Sequence, residues 1–140
     1  MNKMIVVLLA VALGLGGCAT PPHLLAVSAE SSLIGGQFVH EAPTRLTLES
    51  AGKRYEANGF GIKKMQDWDV LRKAYQGTNP NHWNRIISGI DNDHVVYSAE
   101  PIAVASAGDE LRCLILWSNG TAPRGTCTDK SNHQLTVKFD

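Results

Sequence analysis

The chain has 140 residues, among them 13 basic and 13 acidic side chains. A length of this order suits a single folded domain preceded by a short leader. The even charge balance gives no basic excess of the kind that predicts nucleic-acid binding, and no basic amphipathic run that predicts binding to anionic lipid.

Residues 1–17 have the pattern of an export signal. Lys3 supplies a positive charge near the start, and the run from Met4 to Leu15 is apolar apart from Gly14. A positive start, about 7–15 apolar residues and small residues at the cleavage point are typical of a secretory signal peptide. A membrane-spanning helix needs about 20 apolar residues, so we expect residues 1–17 to be removed.

The motif Leu15-Gly16-Gly17-Cys18 follows directly. It resembles the lipobox of bacterial lipoproteins, in which an apolar residue and two small residues precede a cysteine. The resemblance implies cleavage before Cys18, a diacylglyceryl group on its sulfur, and acylation of the freed amine, with palmitate as the expected fatty acid. Two or three acyl chains hold a protein stably in a membrane.

Ala19 occupies the position at which enterobacterial lipoproteins retained in the inner membrane carry aspartate. The resemblance therefore implies an anchor in the outer membrane, facing the periplasm, in preference to the inner membrane. Residues 18–30 are predicted to form the lipidated N-terminus and a tether, and residues 31–140 a single globular periplasmic domain. Residues 19–30 reach at most about 40 Å when fully extended.

Alternating apolar and polar residues predict strands at 36–40 and 44–50, and another around Tyr55. Gly59 shifts the alternation in that last strand, which predicts a β-bulge. A later strand contains Pro101, whose missing N–H indicates an edge or a bulge at that point.

Residues 66–76 carry the best helical pattern. Trp68, Leu71 and Tyr75 recur at helical spacing, and Gly77 can end such a helix. The expected fold class is therefore α+β: a mainly antiparallel β-sheet of six to eight strands, arranged as a meander or a partly closed barrel, with one helix near 66–76.

The C-terminal third predicts a strand at 111–117 that returns at 126–128. Both alternating sets of side chains in 111–117 are apolar, because Leu114 and Leu116 occupy the second set. Such a pattern is typical of a central strand that is covered on both faces.

Two cysteines remain once Cys18 is assigned to lipid. Cys113 and Cys127 form an even pair in an oxidising compartment. If their strands pair as a hairpin centred on Gly120, the two residues face each other within disulfide reach. A metal pair or a redox pair is the alternative, but neither the C-x2-C spacing with histidines nor a C-x-x-C motif is present.

A wider pattern surrounds these cysteines and covers 113–139. Three segments resemble the C-terminal hairpins of small proteobacterial envelope lipoproteins: Cys113-Leu114-Ile115-Leu116-Trp117, Gly125-Thr126-Cys127-Thr128-Asp129 and Val137-Lys138-Phe139. The resemblance implies no activity and bears on the fold alone.

No catalytic residue is assigned, because the sequence contains neither a G-x-S-x-G nor an S-x-x-K motif. None of the five histidines forms an H-x-H or H-x-x-x-H pair, so no metal and no cofactor is expected. Trp83 and His82 follow a polar loop and are the candidate binding residues. Trp68 and Trp117 lie among apolar residues and are expected in the core.

Two classes of function are compatible with these patterns. The favoured one is a non-enzymatic binding, assembly or inhibitory module of the cell envelope. It is held to the membrane by the lipid on Cys18, with an envelope protein or peptidoglycan as partner and no nucleic acid. The alternative is a small envelope hydrolase whose site is assembled only in the fold.

Overall fold

A computed structural model of the chain describes residues 20–66 and 95–140. Every secondary-structure element in these two segments is a β-strand. In chain order the ten strands are β1 (His23–Leu24), β2 (Leu33–Val39), β3 (Arg45–Ser50), β4 (Lys53–Asn58), β5 (Ile62–Gln66), β6 (Val95–Ala99), β7 (Ile102–Ala105), β8 (Glu110–Ser118), β9 (Arg124–Thr128) and β10 (Gln134–Lys138).

The predicted α+β class is wrong, because the described part of the chain is all-β. Its strands form one antiparallel sheet that curls into a half-barrel. Gln66, the first residue of the predicted helix, ends β5 and pairs with Val95. Residues 67–76 lie outside the described residues. The curled sheet encloses much of its own apolar face, so the buried side chains of the described part pack against one another.

The strands follow one another as a meander. β1 to β4 lie in order, β4 pairs with β7, and β7 pairs with β8. One edge of β8 pairs with β7 and then β6, while its other edge pairs with β9, which in turn pairs with β10. Leu25 forms a bridge with Phe139. The two ends of the described sheet are therefore linked at this one bridge, and the sheet is curled rather than flat.

Two interruptions explain why ten strands occur where six to eight were predicted. Tyr55 pairs with Ala105 and Ile62 with Ala99. The segment from Tyr55 to Ile62 is one residue longer than the segment it pairs with, and the extra residue falls near Gly59, which has φ +68°. This is the bulge that the sequence predicts, and it divides one bent run into β4 and β5.

Pro101 divides β6 from β7 in a different way. Ala99 pairs with Ile115 and Ile102 with Arg112, so the register continues across Pro101 with no extra residue. The Cys113 N–H donates to the Pro101 carbonyl oxygen at 2.9 Å. The proline therefore removes one donor from the ladder without shifting it.

The core is built from alternate residues of the strands, whose side chains point into the curl. Its members include Phe38, Leu46, Leu48, Tyr55, Leu111, Ile115, Trp117, Val137 and Phe139.

The expectation that β8 is covered on both faces is wrong. Leu114 and Leu116 point outward and remain 43% and 39% exposed. β8 is central because both of its edges are paired, and pairing of the edges does not require a layer over the outer face.

The predicted cysteine pairing is present in the structure. Cys113 lies directly opposite Cys127, and Ile115 lies opposite Gly125, which is the expected hairpin register. The two sulfur atoms are 2.02 Å apart, the distance of a disulfide bond. Both cysteines are buried.

Part of the segment predicted as a tether, residues 23–26, contributes to the sheet. His23 and Leu24 form β1 and pair with β2, and the Ala26 N–H donates to the Lys138 carbonyl oxygen at 2.8 Å. The first strand of the described residues therefore lies inside the segment predicted as a tether. Short apolar segments of this kind carry too little alternation for a strand to be predicted from sequence alone.

Within residues 20–66 and 95–140, no helix is long and apolar enough to cross a membrane.

Candidate functional site: an aromatic cleft at one end of the sheet

A cavity of about 660 Å³ opens at one end of the curled sheet. We call it the aromatic cleft. Its described lining consists of the rings of His23, His40, Tyr97 and Trp117, the side chains of Ile62, Glu41 and Asp140, and the loop 118–122. Its volume lies within the range of about 300–1,000 Å³ that is common for small-molecule sites.

Meander topology brings these residues together. In a meander of antiparallel strands, each strand ends at the same end of the sheet at which the next strand starts. His23 starts β1, His40 directly follows β2, and Trp117 is near the end of β8. Asp140 comes after β10, next to β1. Residues distant in sequence therefore share one rim.

Four rings follow one another in close contact along the cleft, with stacked pairs at both ends and a tilted contact between Trp117 and His40. Tyr97 and Trp117 are stacked with centroids 5.7 Å apart, and Trp117 and His40 lie 5.5 Å apart. His40 then stacks on His23 at 5.2 Å with an angle of 25° between the ring planes.

Phe38 supports the stack from the core. Its ring meets Trp117 edge-on at 5.3 Å and lies 6.0 Å from Phe60 and 5.6 Å from Phe139. Phe38 is completely buried, and Trp117 is only 9% exposed. The wall of the cleft is thus continuous with the hydrophobic core and held in place by it.

Asp140 ties β1 to the end of the sheet. The His23 Nδ1–H donates to the Asp140 backbone oxygen at 2.6 Å, and the Leu24 N–H donates to Asp140 Oδ1 at 2.6 Å. The Asp140 N–H in turn donates to the Leu24 carbonyl oxygen at 2.9 Å. These bonds fix the orientation of the His23 ring.

The loop 118–122 forms another wall of the cleft. The Ser118 N–H donates to Thr121 Oγ1 at 2.9 Å, and the Thr121 N–H donates to the Ser118 carbonyl oxygen at 3.0 Å. Gly120 adopts φ +77°, a left-handed conformation that glycine accepts without strain. The loop is therefore a closed turn with its own hydrogen bonds.

The charges of the described lining are acidic, apart from the two imidazoles. Glu41 and Asp140 contribute carboxylates, and the described lining contains no lysine or arginine. Burial lowers the pKa of His40, the neighbouring His23 lowers it further, and Glu41 opposes the shift. A lowered pKa favours the uncharged form of His40, so this imidazole does little to offset the carboxylates of Glu41 and Asp140.

The described residues contain no arrangement that points to hydrolysis or metal chemistry. The Ser118 and Thr121 hydroxyl oxygens are 3.0 Å apart and bond to each other. Neither is hydrogen-bonded to an imidazole in the described part, although nucleophilic catalysis needs such a base. No group of three or more His, Cys, Asp or Glu side chains in residues 20–66 and 95–140 could hold a metal ion.

None of the residues in the described lining of the cleft was predicted from sequence as a binding residue. Cys18, His82 and Trp83 all lie outside the described residues, so their predicted roles stay predictions. His23 and His40 carry no local spacing that could have indicated a site. Trp117 was expected in the core, where most of it is buried, and the exposed rest of its ring lines the cleft.

Comparison of the chain with protein-family models, with curated proteins and with solved structures finds no match. The function is therefore argued from the residues and the geometry of the cleft.

Proposed function

We propose that the chain is a non-enzymatic binding module of the bacterial cell envelope, anchored by lipid on Cys18, preferentially in the outer membrane and facing the periplasm. The aromatic cleft is its binding site. The observation that carries this proposal is the open cavity of about 660 Å³, walled by four aromatic rings in mutual contact, of which Trp117 packs edge-on against the core residue Phe38. Concave, mostly apolar cavities with a few polar groups are the usual form of ligand sites.

Two features support an envelope location. The lipobox-like motif at 15–18 directly follows an apolar run. Cys113 and Cys127 lie at disulfide distance, and disulfides persist in oxidising compartments such as the periplasm.

The position of the anchor bears on the cleft. His23 follows Cys18 by five residues, a stretch that spans at most about 18 Å when fully extended. Because His23 lines the cleft, the cleft lies within about that distance of the lipid-bearing cysteine. The binding site is therefore expected close to the membrane surface.

Substitution Cys18→Ser tests the anchor. We expect mass spectrometry of the wild-type chain from cells to find an acylated Cys18 at the mature N-terminus, and the variant to accumulate as unprocessed precursor. The double substitution Cys113→Ala with Cys127→Ala is the matched control and should still be lipidated. An unmodified wild-type N-terminus at Ala19 or later would show that the chain is not a lipoprotein.

Photocrosslinking in cells tests the cleft. Ala122 is exposed and lines the cleft, whereas Ala107 is equally exposed in the turn between β7 and β8. With p-benzoylphenylalanine in place of Ala122, we expect a discrete adduct that is absent when the same group replaces Ala107. Identical adduct patterns from the two positions would remove the cleft as the binding site.

A further inference from the structure

We propose that the chain binds the zwitterionic headgroup of a membrane phospholipid, with the ammonium in the aromatic cleft and the phosphate beside Arg124 and Lys138. This inference rests on the proposed function, because the lipid anchor is what brings the site to a membrane. It adds the chemical class of the ligand.

A second cavity, of about 600 Å³, adjoins the aromatic cleft. We call it the basic cleft, since its described lining includes Arg124 and Lys138 and no carboxylate side chain. The two cavities share four lining residues, namely Trp117, Ser118, Thr121 and Ala122. They therefore adjoin at the loop 118–122, and the proposal places one ligand across that boundary.

The aromatic cleft suits an organic cation. An ammonium group within about 6 Å of an aromatic ring is attracted to its π face, and the attraction grows when the cation is desolvated. Glu41 and Asp140 add negative charge at the rim, and each accepts a hydrogen bond that holds it there, from Thr20 and from Leu24. A neutral sugar would gain little from these charges and would bring many hydroxyl groups that need partners when buried.

The basic cleft suits a phosphate. Arg124 and Lys138 face each other across β9 and β10, and both side chains are exposed on the outer face. Like charges directly opposite on neighbouring strands destabilise a sheet. An anion between them removes that repulsion, and both side chains are common phosphate binders.

Exposed apolar side chains at the rim are suited to contact with a membrane surface. Leu24 follows His23 and is 53% exposed, and Leu116 lines the basic cleft and is 39% exposed. Side chains of this kind can insert among acyl chains at an interface. Because the cleft lies within about 18 Å of Cys18 along the extended chain, an anchored protein meets headgroups at high effective concentration, and weak affinity suffices.

The test uses the mature lipidated protein in an uncharged detergent, titrated by NMR or calorimetry. The probes are glycerophosphoethanolamine, ethanolamine alone and glycerol 3-phosphate alone. We expect the complete headgroup to bind at least about tenfold more tightly than either fragment, a factor equivalent to about 1.4 kcal/mol. Glu41→Gln and Arg124→Gln should each weaken its binding by about the same factor.

Matched controls remove charges that lie outside both clefts. Asp109 is paired with Lys53, and Lys63 with Glu100, on exposed surfaces. Asp109→Asn and Lys63→Gln should leave the affinity unchanged. The inference is overturned if the controls weaken binding as much as the cleft variants, if the fragments bind as well as the whole headgroup, or if a lysine peptide or a cell-wall fragment binds more tightly.

Failure of the headgroup is distinguishable from failure of the proposed function. If the Ala122 crosslinker captures one envelope protein while glycerophosphoethanolamine does not bind, the chain is still a binding module, but the ligand class is wrong. A phospholipid adduct at Ala122 supports both proposals.

Discussion

Gly125→Ala is expected to destabilise the protein by more than about 3 kcal/mol, above the upper part of the range usual for overpacking. Gly125 lies opposite Ile115 in the β8–β9 ladder. A Cβ atom at this position would overlap the carbonyl oxygen of Leu114 and crowd the Cα of Ile115. Both are backbone atoms of the central strand, so relief requires separation of β8 from β9 rather than rotation of a side chain.

Urea denaturation of a graded alanine series measures this effect. At Gly36 a Cβ would lie 2.6 Å from the Thr47 carbonyl oxygen, and at Gly35 the nearest atom would be Glu49 Oε2 at an ordinary 3.5 Å. We therefore expect Gly125→Ala to be the most damaging, Gly36→Ala intermediate and Gly35→Ala close to wild type. Equal denaturation midpoints for Gly125→Ala and Gly35→Ala would show that β8 and β9 do not approach as described.

Loss of the Cys113–Cys127 disulfide is expected to lower the free energy of unfolding by about 3 kcal/mol. The bond joins residues 14 apart in sequence, and constraint of an unfolded loop of this size accounts for about that amount. This is a large share of the about 5–15 kcal/mol that stabilises a typical domain. Cys113→Ala with Cys127→Ala should therefore unfold at lower urea concentration but keep a β-rich circular dichroism spectrum, because the β8–β9 hydrogen bonds remain.

The reduced wild-type protein is the natural comparison for this double variant. Both lack the covalent link and should lose the stability that it provides, whereas only the alanine variant also loses the packing of two buried sulfur atoms. Alanine is chosen over serine because both positions are buried, where an unpaired hydroxyl adds a cost of its own. If non-reducing peptide mapping finds both thiols free in protein from the periplasm, the pairing is wrong.

Local patterns predicted the strands of the described part well. Alternation at 44–50 corresponds to β3 (Arg45–Ser50), and Gly59 marks the bulge between β4 and β5. The cysteine pairing was also predictable, because β8 and β9 are consecutive and a short turn fixes their register. In each case the information lies within a few neighbouring residues.

The fold class was not predictable in the same way. The helical spacing of apolar residues in 66–76 shows which face a helix would bury if it formed. It does not show whether part of the segment pairs with a strand that is distant in sequence. Gln66 is instead paired with Val95 in the β5–β6 ladder, a contact between segments distant in sequence. The exposure of Leu114 and Leu116 was misjudged for a related reason, since an apolar sequence does not reveal which face another layer covers.

By itself, the sequence of this protein indicated where several strands of the described part lie and that Cys113 pairs with Cys127. It also carries the predicted export and lipid attachment at Cys18, which depend on a linear motif that needs no fold. Only the tertiary structure decided that β1 meets the end of β10 and that His23, His40 and Trp117 line one cleft. Those contacts join residues near the two ends of the described chain, such as Leu25 and Phe139. They depend on the curl of the whole sheet, which no local periodicity records.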